Sequence, residues 1–152
     1  MPVRILAVGK KHESWVAEGI ERYQKRLKAP FLPEWVLMNH SSFDGLKARQ
    51  DESERILTRL SANDYVVLLD ERGRELDSVD FSQLIGEELD HSRQIVLIIG
   101  GAYGVDDSLR DRADLVWSLS PLVFPHQLVR LILTEQLYRA QQIAVGGPYH
   151  HE

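Results

Sequence analysis

Five stretches of this chain carry side chains whose types and spacing could do chemistry. Gly100-Gly101-Ala102-Tyr103-Gly104 follows the apolar run Ile-Val-Leu-Ile-Ile, and three glycines in five residues at the end of a strand let a ligand approach the backbone closely. It is neither the G-x-G-x-x-G of a first βα turn nor a P-loop, because G-K-[ST] is missing; a tight structural turn is the competing reading. Ser120-Pro121-Leu122-Val123-Phe124-Pro125-His126 brackets an apolar loop with two prolines. Such a loop either packs on the core or offers backbone N–H and C=O groups to an adenine edge, with apolar side chains on its faces. Arg130, Glu135 and Arg139 interrupt an apolar helical pattern, as a structural ion pair or with Arg139 at a phosphate or at a base being modified. Tyr149, His150 and His151 offer a stacking ring and two imidazoles after a Gly-Gly-Pro hinge, unless the terminus is simply disordered. Asp70-Glu71 ends another apolar run and suits a turn, general-base work or ribose recognition. A receiver-type acidic site fails, since the first strand ends in Gly9-Lys10-Lys11.

Composition removes other chemistries. The chain has no cysteine, which excludes a disulfide scaffold, a thiolate zinc site, an iron–sulfur cluster and a cysteine nucleophile. His-His-Glu at the end has no matching ligand spacing elsewhere, so no metal site is expected. The 152 residues, 43% hydrophobic and 27% charged, amount to one globular domain. A chain this long buries roughly two-thirds of its unfolded surface without a staple. No apolar run approaches the ~18 residues of a membrane span and Met-Pro-Val-Arg has no signal-peptide core, so the expected compartment is the cytoplasm. The net charge of −5 argues, taken alone, against a nucleic-acid partner. It is unevenly spread: residues 1–30 hold seven Lys/Arg against three Asp/Glu, and residues 31–90 hold six against fourteen. Lys10, Lys11, Arg22, Lys25, Arg26 and Lys28 form the basic cluster, a solvated face or a phosphate-contacting patch.

The elements that position these groups follow from periodicity. Strands are expected at Val3–Val8, Glu34–Met38, Tyr65–Leu69, Gln94–Ile99 and Leu115–Leu119, and helices at 14–28, 44–60, 80–90, Asp107–Arg112 and His126–Ala144. Ser14 is placed to cap the first helix, Asp80 with Gln83 fits a capping box, and Asp70-Glu71-Arg72-Gly73 reads as a closing turn. Apolar strands alternating with helices define an α/β fold, a parallel sheet covered on both faces. Ligands then bind beyond the carboxyl ends of the strands, in the loops after Leu69, Ile99 and Leu119. The last helix is apolar on more than one side, which predicts burial on both, the second against a partner subunit.

In order along the chain stand Ile5-Leu6-Ala7-Val8-Gly9-Lys10, Leu68-Leu69-Asp70, Ile98 to Gly104, Trp117-Ser118-Leu119-Ser120, Pro125 to Arg130, Glu135-Gln136-Leu137-Tyr138-Arg139-Ala140 and Pro148-Tyr149-His150. With these blocks the chain resembles, over essentially its full length, the ribosomal large-subunit RNA methyltransferase H family. That family belongs to the SPOUT class of S-adenosylmethionine-dependent methyltransferases. The resemblance implies a single SPOUT domain over 1–152, a parallel-sheet α/β/α fold with a C-terminal trefoil knot, and a homodimer with the cofactor site in the knot near the interface. S-adenosylmethionine would contact Leu69, Gly101, Ser120, Pro121, Leu122, Val123, Phe124 and Pro125. The substrate would be a pseudouridine in helix 69 of 23S rRNA, methylated at N3 on the assembled ribosome. Transfer from a sulfonium is an in-line displacement that needs orientation rather than a metal, and the N3 proton must leave. Arg139, Tyr149 and His150 are the catalytic candidates, with His126 weaker. Arg139 would stabilise charge or hold phosphate, Tyr149 would stack on or orient the base, and His150 could accept the proton. His151 departs from the Arg or Lys often found there, and the basic cluster would contact rRNA. A non-catalytic ribosome-associated RNA-binding module, or a SPOUT methyltransferase acting on another RNA, is the alternative.

Overall fold

The computed structural model describes residues 2–151, so Met1 and the Glu152 of the His-His-Glu tail lie outside it. Strands and helices alternate as β1 (Val3–Val8), α1 (Ser14–Gln24), β2 (Pro33–Met38), α2 (Gly45–Leu57), β3 (Tyr65–Glu75), α3 (Ser78–Asp90), β4 (Ile95–Ile99), α4 (Asp107–Arg112), β5 (Leu115–Ser118) and α5 (His126–Ala144). The strands form one sheet in the order β2-β1-β4-β3-β5, every neighbouring pair parallel. This is the α/β architecture expected from the alternation.

Side chains of successive strand residues point to opposite faces. Ile5 and Ala7 of β1 therefore join Leu97 and Ile99 of β4 in one core with Phe81, Ile85, Leu133 and Leu137 from α3 and α5. Leu6 and Val8 join Ile98 in a second core with Ile56 of α2 and Leu109 of α4. On the first face α5 packs between α1 and α3.

Three local expectations need correction. The first helix ends at Gln24 rather than residue 28, and Ser14 is its first helical residue, not its cap. Glu13 takes the N-cap position without a side-chain cap bond, its carboxylate accepting from Trp15 Nε1 at 2.6 Å. The capping box at Asp80 shifts one turn upstream. Asp77 caps α3 by accepting from the Asp80 backbone N–H at 2.7 Å, because helical φ/ψ already begins at Ser78. Lastly, Asp70-Glu71-Arg72-Gly73 does not close β3. Leu69 and Arg74 both pair with Trp117, so the intervening residues arch out as a bulge and the strand resumes to Glu75. Gly73 is needed there because a Cβ would run into the Val116 backbone.

Candidate active site

The carboxyl ends of β3, β4 and β5 open into a cleft of about 550 Å³, within the range of ~300–1,000 Å³ usual for small-molecule sites. Its walls are the β3 arch, the glycine loop after β4, and the loop between β5 and α5. Leu69, Gly101, Ser120, Leu122, Val123 and Phe124 line it, together with Trp117, Leu119 and His126. Pro121 and Pro125 belong to the same loop without lining the cleft, and Pro125 serves as the N-cap residue of α5. The loop is pinned at its start: the Ser118 hydroxyl donates to the Ser120 carbonyl at 2.9 Å, and Ser120 Oγ accepts from the Leu122 N–H at 3.1 Å. Beyond that point Leu122 and Val123 stand 68% and 78% exposed.

The floor of the cleft rests on a buried acid. Glu52 of α2 is 3% exposed, and its Oε2 accepts from the Ser41 N–H at 2.8 Å. Its Oε1 has no hydrogen-bond partner among the described residues. A Cβ placed on Gly101 would meet that oxygen at 2.6 Å and Val8 Cγ1 at 3.1 Å, so any larger residue there forces the carboxylate or the loop to move. The loop then turns back on itself, the Gly104 N–H donating to the Gly101 carbonyl at 3.0 Å with Gly104 at φ +77°. Glu52 is a functional candidate that the sequence pattern passed over, since its helix is charged on most of its surface. The available signal was its place four residues from both Ala48 and Ile56, the buried stripe of α2.

Ion pairs sort the acidic residues of the arch. Arg110 reaches Asp70 through Nη2 at 3.0 Å and Nε at 3.3 Å, and Arg72 reaches it at 3.2 Å. Asp70 thereby shapes the bulge. Exposed Glu71 has no ion-pair partner among the described residues and lines the cleft.

Behind the cleft lies Arg130, fully buried on α5. It donates to the carbonyls of Val8 and Gly9 at 3.2 Å each and of Lys11 at 3.1 Å, fixing the β1–α1 loop to α5. It also approaches His12 Nδ1 at 3.2 Å. A guanidinium has donors only, so that nitrogen accepts. Burial pushes the Arg130 pKa down, with Glu13 opposing. His12 is lowered by burial and then by the Arg130 charge. His126 is lowered by burial, then by Arg130 and His40, while Glu52 pulls the other way.

Arg139, Tyr149 and His150 do come together, at another place. Arg139 Nε donates to Glu135 at 2.8 Å, its Nη1 lies 3.0 Å from His150 Nδ1, and its guanidinium sits 4.8 Å from the Tyr149 ring centroid. Tyr149 packs edge-on against Tyr138 at 4.8 Å. Its pKa is pushed up to about 12 by burial first, then by Glu135 and Tyr23, against the pull of Arg139. The Glu135 hydrogen bond raises Arg139 further. The tail is therefore docked on its own helix through Tyr149, whereas His151 is exposed. Arg139 lines not the first cleft but a second cavity of about 580 Å³ between α1 and α5, with Tyr23, Leu128, Leu131, Ile132 and Glu135. Exposed Arg22 borders this cavity, and Lys25, Arg26 and Lys28 follow it at the end of α1. Among the described residues no cluster of His, Asp or Glu could hold a metal, and no helix is long and apolar enough to cross a membrane.

A family model described as "Predicted SPOUT methyltransferase" matches residues 1–150, and the chain belongs to that class. Within it, the similarity to ribosomal RNA large subunit methyltransferase H runs the whole length of the chain and places it in that family. The protein of that name from Trichlorobacter lovleyi is 41% identical, over 99% of this chain and 100% of its own length. The one from Synechococcus is 45% identical over 97% of this chain and 93% of its own, and that from Thioalkalivibrio sulfidiphilus 38% identical over 100% of both. Among solved structures, the SpoU methyltransferase AviRb from Streptomyces viridochromogenes in complex with AdoMet aligns with TM-score 0.46 and 17% identity, over 95% of this chain and 58% of that one.

Proposed function

We propose that this chain is one SPOUT unit that methylates large-subunit rRNA from S-adenosylmethionine, at N3 of a pseudouridine in helix 69 of 23S rRNA on the assembled ribosome, as a cytoplasmic homodimer. The observation that carries the reading is a small-molecule cleft at the strand ends of a chain similar from end to end to rRNA methyltransferases. The residues present fit the cofactor. Trp117, Leu119 and Phe124 give apolar walls, the Gly101 backbone lies bare on the floor, and Glu71 offers a free carboxylate to hydroxyls or a cation. When bound there, S-adenosylmethionine supplies an electrophilic methyl on a sulfonium. The stretch from Ser118 into α5 would form the C-terminal knot of the class.

The dimer answers a problem of place. None of Arg139, Tyr149 and His150 lines the cleft of its own chain, and Arg139 faces the second cavity instead. A second copy seated on the apolar residues Leu128, Leu131 and Ile132 of the α1–α5 groove would bring one copy's tail to the other's cleft, and would cover the second side of α5.

Each member of the cluster then has a task. Tyr149, with its pKa near 12, stays protonated at neutral pH, so it orients the base rather than taking its proton. Arg139 stays cationic and faces the anion that develops as N3–H is lost. Its contact occupies the Nδ1 lone pair of His150. Turning Arg139 toward substrate frees that lone pair, so one movement supplies both the cation and the proton acceptor.

Mass spectrometry of rRNA from a strain lacking the gene tests the substrate: the helix 69 pseudouridine should lose its methyl group, and an unchanged nucleotide would refute the assignment in favour of another RNA. Calorimetric titration with S-adenosylmethionine tests the enzyme: no binding by the dimer would leave a non-catalytic RNA-binding module.

A further inference from the structure

Two aromatic rings are left in solvent on loops that are held in place, Tyr103 in the wall of the cleft and Phe43 outside its lining. Phe43, in the β2–α2 loop, is 48% exposed and Tyr103, in the glycine loop, is 43% exposed. A chain of hydrogen bonds fixes the first loop from the core outward. Buried Glu52 accepts from the Ser41 N–H at 2.8 Å, and Ser41 Oγ accepts from the Phe43 N–H at 3.1 Å. Two further contacts join the loops: Arg49 Nε donates to the Tyr103 carbonyl at 2.8 Å, and the Tyr103 hydroxyl lies 3.4 Å from Asp44 Oδ1. The Lys47 ammonium stands 5.2 Å from the Phe43 centroid. Lys47 and Arg49 have no carboxylate partner among the described residues, whereas Asp51 of the same helix is paired with Arg55 at 3.5 Å.

Exposing a ring on a pinned loop gains nothing for folding, since its apolar surface stays in water. A ring with a lysine beside it and unpaired cations nearby suits a partner with flat π-faces and negative charge. Nucleotides of unpaired RNA have both, and they stack on aromatic side chains with little regard to sequence. A target base that must leave its stack to reach a cleft also leaves a neighbour whose stacking has to be replaced.

We propose that Phe43, with Tyr103 beside it, is a stacking platform for an unpaired rRNA nucleotide next to the target base, its phosphate met by Lys47 and Arg49. This rests on the rRNA reading above and adds a recognition site to it. Equilibrium binding of purified 70S ribosomes to the full-length dimer tests it. Phe43→Ala should weaken binding by roughly tenfold, the loss of one stacked base. Phe43→Trp should bind at least as well as the wild type, and Lys47→Ala should flatten the salt dependence. S-adenosylmethionine affinity should stay within about twofold in Phe43→Ala, because the ring does not line the cleft. Equal ribosome binding by Phe43→Ala and wild type overturns the platform. So does a photocrosslinker at position 43 that attaches to a ribosomal protein instead of rRNA. If the wild type itself ignores ribosomes, the substrate reading fails. The platform is then judged on single-stranded oligouridine, where the order Trp, Phe, Ala must persist or the proposal falls.

Discussion

Gly101→Ala should damage both stability and cofactor binding through one oxygen atom. The added Cβ would stand 2.6 Å from Glu52 Oε1 and 3.1 Å from Val8 Cγ1. Gly101 is not among the positive-φ glycines, so the penalty is steric and not conformational. Relief has two routes. The carboxylate can rotate, which strains its 2.8 Å bond from the Ser41 N–H, a charged hydrogen bond worth about 1.5–3 kcal/mol. Otherwise the glycine loop moves away from α2, at the ~1–3 kcal/mol typical of overpacking. Either route predicts a loss of about 2 kcal/mol, which lowers a urea midpoint by ~1 M at a slope near 2 kcal/mol/M. Unfolding followed by tryptophan fluorescence reads this, Trp117 being buried and stacked on Phe81 at 4.4 Å. Protein concentration must be fixed, because dimerisation would couple to stability. Calorimetry should show weaker S-adenosylmethionine binding, since the loop that moves lines the cleft. The specific test is a double-mutant cycle. Glu52→Ala removes the clashing oxygen, so Gly101→Ala on that background should cost about 2 kcal/mol less than on the wild type. Additivity within about 0.5 kcal/mol would show that Glu52 is not what the Cβ meets, and the reasoning about the cleft floor would be wrong.

Arg130→Met should lose about 3–5 kcal/mol, because it strips the donor from three carbonyls of the β1–α1 loop inside a buried site; urea unfolding checks it. His12 and His126 have folded pKa values below the ordinary 6.5, so below pH 6.5 the unfolded chain binds more protons. Their contribution is whole above that pH and is lost as pH falls through the folded values; denaturation series from pH 7.5 to 5, with His12→Gln and His126→Gln less steep, test the sign. Tyr149 is raised from 10 to about 12. Tail docking should therefore weaken as pH climbs from 10 to 12, and Tyr149→Phe should remove that phase from tyrosinate absorbance. Neutralising Lys10, Lys11, Lys25 and Arg26 together should weaken ribosome association and flatten its salt dependence while leaving S-adenosylmethionine titrations unchanged.

The sheet was legible because its strands are continuous apolar runs, and burial on both faces leaves no other place for Ile95–Ile99. The strand-end loops followed from the sheet. Legibility failed where one residue's meaning depended on a distant one. Nothing in Asp70-Glu71-Arg72 says which acid the arginine takes; the fold gives Arg72 to Asp70 and adds Arg110, forty residues on, and leaves Glu71 without an ion pair among the described residues. Gly73 looks like a turn glycine until β5 is placed against it. Glu52 reads as a surface acid until α2 is docked and Gly101 is laid over its carboxylate. Arg139, Tyr149 and His150 were gathered by resemblance. Their position away from the cleft is a property of the folded monomer, which no spacing within the chain could give.

Net charge misled for a similar reason. The acidic middle of the chain spends several of its carboxylates internally: Glu34 on Arg4 at 3.0 Å, Glu52 on the Ser41 N–H, Asp64 on the Ser61 N–H at 2.8 Å, Asp70 on Arg110, Asp77 at the α3 cap, and Glu88 on Arg93 at 3.5 Å. The basic first segment behaves differently. Lys25 leans on Glu21 at 3.6 Å, but Lys10, Lys11, Arg22, Arg26 and Lys28 are exposed and have no carboxylate partner among the described residues. A polyanion does not meet the sum of −5. It meets the charges that folding has left unpaired: of the charged residues lining the α1–α5 groove, Glu135 and Arg139 hold each other and Arg22 has no ion-pair partner among the described residues. Counterion release scales with such contacts, so a chain of net negative charge can bind RNA where its fold gathers unpaired bases on one face, whatever acids stay free elsewhere.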